Sequence, residues 1–200
     1  MTEQAPEIRT RAAFLDESQS DHQRDPDVYM LAAAVCGHSA LTPAREAITA
    51  LRLKGQVKLH WHDESDKRRQ LITETIAGLG LDHLVVVRDG QPGEKPERRR
   101  RHCLERMLWE LDQLDVGIAT FESRGPADDR RDRLMLDALR SRNYVSADLR
   151  IAHVIGPGEA LLWVADAICG AVVRHRTGDQ TYLDTVQTGQ HVQIIEIPPR

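Results

Sequence analysis

Cysteine is scarce, with Cys36, Cys103 and Cys169 the only three in 200 residues. They are odd in number, far apart and without a CxxC pair, which excludes a disulfide scaffold and a cysteine zinc site. They read as small reduced core residues, as in a reducing compartment. Aromatics are also few, with two Phe, three Trp and three Tyr. That is too few for a platform on which single-stranded bases stack. No apolar stretch approaches the roughly 20 residues of a membrane helix. The opening MTEQAPEIRTR carries acids and lacks the apolar core of a signal peptide. The expectation is a cytoplasmic protein with no membrane partner. No charge sign dominates: Lys and Arg total 27, Asp and Glu 31, and the net charge is -4. No global positive field therefore advertises nucleic acid, although a local basic patch can outweigh so small a total. P-loop, GxGxxG and GxSxG patterns are missing, which removes support for nucleotide-binding and α/β-hydrolase folds.

What remains suits one α/β domain. Residues 1–11 read as a flexible lead-in and 12–200 as a single domain. RAAFLDES, VYMLAAAVCG, QVKLHWH, HLVVVRDG, VGIATFES, LRIAHVI and VQIIEI have the length and apolar character of strands. Helical spacing occurs over 43–53, 67–79, 97–114, 128–142 and 159–174, with Leu134, Met135 and Leu139 as the stripe of the fourth. Thr177 to Thr188 reads as a loop. The later alternation of strand and helix implies parallel strands joined by helical crossovers.

Asp166 is the most informative residue. It is the one charged side chain in ALLWVADAICGAVV, and an ionised carboxylate in so apolar a helix demands compensation. A role capping a loop would supply it, as would an ion pair with an arginine or a metal. AAFLDES places Phe14 and Asp16 on one strand face and Leu15 and Glu17 on the other. VGIATFES ends its strand in Glu122, followed by Arg124. If those strands are parallel neighbours, Asp16 and Glu122 converge at the carboxyl end of the sheet, where open α/β sheets bind ligands. With Asp166, three carboxylates would share one site. Such acids repel one another unless a cation lies between them, and Mg²⁺ or Mn²⁺ is the natural choice.

Other clusters carry less. His60 and His62 in HWHDE would share a strand face, but a third ligand is not identifiable, so zinc or iron is a minor reading. Lining the carboxylate site is the better one. Asp129 and Asp132 in PADDRRDR suit a helix dipole, with Asp132 placed to approach Glu122. Arg98–Arg101 with Arg106 could contact phosphates, but reads first as a solvated helix face.

Three segments together resemble the domain of unknown function 3800 family: FLDES, FESR and WVADAICGAVVRH. That family opens with a strand ending Asp-Glu-Ser. A later strand ends in an acid closely followed by Arg, and the closing helix carries Ala-Asp-x-x-x-Gly, here Ala165, Asp166 and Gly170. KLHWHDE resembles its Glu-x-His segment, with Lys58 in place of the Glu and His60 in place of the His. The resemblance covers roughly Phe14 to His175. It implies a ribonuclease H-like mixed central β-sheet flanked by α-helices, with HLVVVRDG as an extra strand. It further implies metal ligands Asp16, Glu122 and Asp166, and nuclease activity on RNA or DNA. In that scheme Asp16 bridges two ions while Glu122 and Asp166 each hold one. Glu17, His60 or Asp132 would tune the site or shuttle protons, and Arg124 would steady the phosphate. The alternative is a catalytically silent binding or regulatory module of a defence or mobile-element system.

Overall fold

The computed structural model describes residues 9–189 and 191–199. Most of the lead-in, residues 1–8, lies outside that range. Its last residues are anchored, because Arg9 donates to the Val116 carbonyl (3.0 Å) and pairs with Asp112 (2.8 Å). Among the described residues no helix is long and apolar enough to cross a membrane.

Six strands form one mixed sheet: β1 (Arg11–Gln19), β2 (Val28–Gly37), β3 (Asp82–Asp89), β4 (Val116–Glu122), β5 (Arg150–Val154) and β6 (Val192–Ile197). Their order is β5-β4-β1-β2-β3-β6. β1 pairs with β2 and β2 with β3 antiparallel, whereas β1, β4 and β5 run parallel, as do β3 and β6. The sheet center is buried on both faces, which explains near-continuous runs such as VYMLAAAVCG and HLVVVRD. The alanines of β2 keep the sheet thin enough for helices to approach both sides.

Helices α1 (His38–Ala50), α2 (Asp66–Ala77), α5 (Ala160–Arg176) and α6 (Thr181–Gln187) pack on one face, around Phe14, Met30 and Val85. Helices α3 (Pro96–Gln113) and α4 (Pro126–Ser141) pack on the other, around Leu15, Leu31 and Phe121. The period-2 alternation of β1 thus sends Phe14 toward α5 and Leu15 toward α3.

Three sequence expectations are corrected. QVKLHWH forms no strand: residues 51–60 are irregular and Trp61–Asp63 is a single 3₁₀ turn. Only Leu59 and Trp61 of the alternation are buried, Val57 is exposed, and the segment serves as a lid over α5. The supposed loop 177–188 contains α6, since Tyr182, Leu183 and Val186 recur at helical spacing and are buried in the same core as Ile72 and Ile76 of α2. In α4 the inward stripe is Asp129, Asp132, Leu136 and Leu139, while Leu134 is exposed. Two acids occupy the inner face there, so apolar residues alone gave the wrong phase. The extra strand near Val85 is β3, set between β2 and β6.

His83 on β3 shares a face with Val85 and Val87, and among the described residues neither ring nitrogen has a hydrogen-bond partner. Burial pulls its pKa down to about 4, from 6.5. Between those values the unfolded chain binds a proton that the folded chain refuses, so stability falls as pH drops through the window. The gap corresponds to roughly 3 kcal/mol. In urea unfolding, the parent should weaken between about pH 7 and about pH 4.5 by more than a His83→Leu variant does. Equal losses would contradict this assignment.

Candidate active site

Parallel pairing of β1 with β4 runs to Leu15 opposite Phe121, so the next residues, Asp16 and Glu122, stand side by side at the carboxyl end of the sheet. Both lie on the α5 face by alternation. α5 crosses this end and presents Asp166, Gly170, Val173 and Arg174, which fall on one stripe at i, i+4, i+7 and i+8. All three acids line one cleft of about 770 Å³, together with Lys58, His60, His62, Arg69 and the loop after β1.

Each acid has a different compensation. Asp16 Oδ1 accepts the Glu17 N–H at 2.8 Å. Burial above all, then the charges of Asp166 and Glu122, push its pKa up from 3.8 to about 8, against the lowering effect of that N–H. Asp166 Oδ2 accepts the Trp61 N–H at 2.8 Å. Burial raises its pKa too, and this backbone bond is the largest opposing influence. Glu122 meets the Lys58 ammonium, with Nζ 3.1 Å from each oxygen. A Cβ on Gly156 would fall on the Glu122 carboxylate, so that glycine leaves the space which the acid occupies.

Trp61 fixes the lid. Its ring is buried, meets Tyr182 edge-on at 5.1 Å, and carries the Arg69 guanidinium 5.4 Å from its center. It lies against Gly170 so closely that a Cβ there would collide with indole Cδ1, Nε1 and Cγ. Helix propensity alone would favor Gly170→Ala by about 1 kcal/mol. The collision is with a rigid ring, and overpacking typically costs about 1–3 kcal/mol, so the packing effect wins. The expected result is a net loss of stability in chemical unfolding. A gain would show that Trp61 is not seated there.

The remaining candidates separate by sheet face. His60 and His62 line the cleft with ring centers 6.5 Å apart, on the turn instead of on a strand. Glu17 lines the cleft as well, but its carboxylate turns to the α3 face, where Arg100 Nε lies 2.6 Å away. Asp132 lies on that same face, 2% exposed, bonded to Arg100 at 2.6 and 2.9 Å and to His153 at 3.1 Å. It does not line the cleft of the three acids. Arg124 faces Glu17, Glu97 and Asp132, each at 3.7 Å. Asp129 accepts the Ser123 hydroxyl at 2.6 Å and the Arg124 N–H at 3.1 Å, and so shapes the turn into α4. The arginine run is a solvated face only in part: Arg98 and Arg101 are exposed, whereas Arg99 and Arg100 are buried, and Arg99 pairs with Asp27. Sequence reading missed Gly156; Lys58 and Gly170 stood only in the resemblance, without their contacts to Glu122 and Trp61.

Among the described residues no group of three or more His, Cys, Asp or Glu side chains is gathered tightly enough to hold a metal ion as it stands. The donor chemistry nonetheless fits one. Asp16, Glu122 and Asp166 share a cleft in which, among the described residues, only Glu122 of the three is bonded to a side-chain cation, and burial together with the neighboring charges pushes the Asp16 pKa up. A hard divalent cation relieves that repulsion.

No family model matches the chain, and no curated protein matches it in sequence. Solved structures do. Ribonuclease HII of Archaeoglobus fulgidus, determined in complex with PCNA, is 14% identical with a TM-score of 0.55, over 82% of this chain and 73% of that one. Ribonuclease H2 of Pyrococcus horikoshii OT3 is 13% identical with a TM-score of 0.51, over 89% and 76%. Bst-RNase HIII in complex with Mn²⁺ is 15% identical with a TM-score of 0.56, over 84% and 53%. The chain has a ribonuclease H-like fold.

Proposed function

We propose that the protein is a divalent-metal-dependent nuclease, and that Asp16, Glu122 and Asp166 hold Mg²⁺ or Mn²⁺. The supporting observation is the meeting of three carboxylates from β1, β4 and α5 at one cleft at the carboxyl end of a ribonuclease H-like sheet. The proposal includes membership of the domain of unknown function 3800 family, on the segments that carry Asp16, Glu122 and Asp166. When bound, divalent ions supply an activated water and neutralize charge on the leaving oxygen. The chain's own groups do the rest. The Trp61 N–H aims one Asp166 oxygen and the Glu17 N–H aims one Asp16 oxygen. Lys58, Arg69 and Arg174 border the acids and offer positive charge to a phosphate backbone. His60 lies beside Asp166 and is the cleft's candidate for moving a proton. Buried Trp61 serves as an anchor, so bases are not expected to stack on it.

The test is a panel of labelled RNA, DNA and hybrid oligonucleotides incubated with Mg²⁺ or Mn²⁺, with and without a chelator. Metal-dependent products on at least one member are expected. No cleavage of any member, with substrate still bound, would favor the silent binding module.

A further inference from the structure

Of the three acids, Asp16 and Asp166 accept backbone N–H groups, while Glu122 holds a side-chain cation. The Lys58 ammonium lies 3.1 Å from both Glu122 oxygens and so takes the whole carboxylate. Its charge also bears on Asp166, where it opposes the rise in pKa that burial causes. Lys58 belongs to the irregular 51–60 segment and precedes by three residues the Trp61 whose N–H caps Asp166. One short connection therefore touches two of the three acids. Both partners of the ion pair are about a third exposed. A pair so exposed is weak and opens readily. An ammonium and a divalent ion cannot both sit against one carboxylate without strong mutual repulsion.

We propose that Lys58 is an internal lock on the cleft: its ammonium occupies Glu122 in place of a divalent ion, and metal binding releases it toward the substrate phosphate. This rests on the proposed metal-dependent site. In the locked state the ammonium neutralizes Glu122 through its 3.1 Å contacts with both carboxylate oxygens. In the released state the same ammonium, still in the cleft, becomes a positioning group for the phosphodiester.

Two readouts test it without relying on cleavage. The first is Mn²⁺ affinity by calorimetry for the parent, for Lys58→Gln and for Arg174→Gln. Arg174 lines the same cleft but pairs with Asp179 at 3.0 Å. Lys58→Gln should tighten Mn²⁺ binding by roughly tenfold or more, and Arg174→Gln by only about threefold or less. The second is the rate at which an amine-acetylating reagent labels Lys58 in the parent, followed by peptide mass spectrometry. The chain has three other lysines, Lys54, Lys67 and Lys95, as internal references. Adding Mg²⁺ should speed labelling at Lys58 alone. Binding by the variant but not by the parent would support the lock in its strongest form. Tighter binding without a labelling change would be a general field effect, and would overturn it. Equal Mn²⁺ affinity in parent and Lys58→Gln would overturn the lock and leave the metal site standing. Binding by neither protein would overturn the metal site, and the lock with it.

Discussion

Asp132→Ala should destabilize the fold by about 3–5 kcal/mol, because it strips a buried guanidinium of its bidentate partner. Arg100 is 4% exposed and lies between Glu17 and Asp132. Burial acts to lower its pKa, but the bonds to Asp132 and the charge of Glu17 outweigh that and hold it above the ordinary arginine value. Without Asp132, Arg100 keeps Glu17 alone, and His153 Nε2 loses its 3.1 Å partner. A replacement that removes both charges, Arg100→Met with Asp132→Leu, should recover most of the loss, since matched apolar residues often replace a buried pair at little cost. Urea unfolding of the single and double variants measures this. A loss below about 1 kcal/mol for Asp132→Ala would mean that water reaches the pair. Cleavage per folded molecule should change little, because Asp132 lies on the α3 face and Asp16 on the α5 face.

Asp16→Asn should do the reverse, removing activity while strengthening the metal-free fold. The Asp16 pKa is raised to about 8 by burial, Asp166 and Glu122. Between about 4 and 8 the folded chain holds a proton that the unfolded chain has lost, so the contribution of this group to stability declines as pH rises through that window. Asparagine cannot ionize, and the decline should flatten. A gain on the order of 2 kcal/mol at pH 8 is expected, in the range of other substitutions that relieve strained sites. Mn²⁺ should raise the melting temperature of the parent and leave the variant unmoved, because binding to the native state alone stabilizes it. Cleavage should fall by roughly three orders of magnitude, the equivalent of about 4 kcal/mol of lost transition-state stabilization. A variant no more stable than its parent at pH 8 would show that Asp16 is not strained by its neighbors.

The parts of this molecule that could be read directly were those with one dominant cause. β-branched runs marked β3 and β6, and alternation correctly split Phe14 and Asp16 from Leu15 and Glu17. The isolation of Asp166 in an apolar helix signalled that it required a partner. What failed depended on tertiary partners. QVKLHWH alternates like a strand, yet only Leu59 and Trp61 of it are buried, and the segment stays irregular. α4 turns two acids inward because Arg100 waits for one of them, and no spacing rule announces that. The polar runs around Arg99 and Tyr182 hid buried side chains for the same reason. Asp166 accepts a backbone N–H, which matches the loop-capping alternative; residue identity alone does not choose between that, an arginine and a metal.

Single-turnover cleavage of the best oligonucleotide from the panel, by the parent and by Asp166→Asn purified side by side in Mn²⁺, decides whether the three-carboxylate cleft is the active site. Metal-dependent products are expected from the parent and none above background from the variant, which should remain folded. Equal cleavage by both would contradict the assignment of the three-carboxylate cleft as the active site.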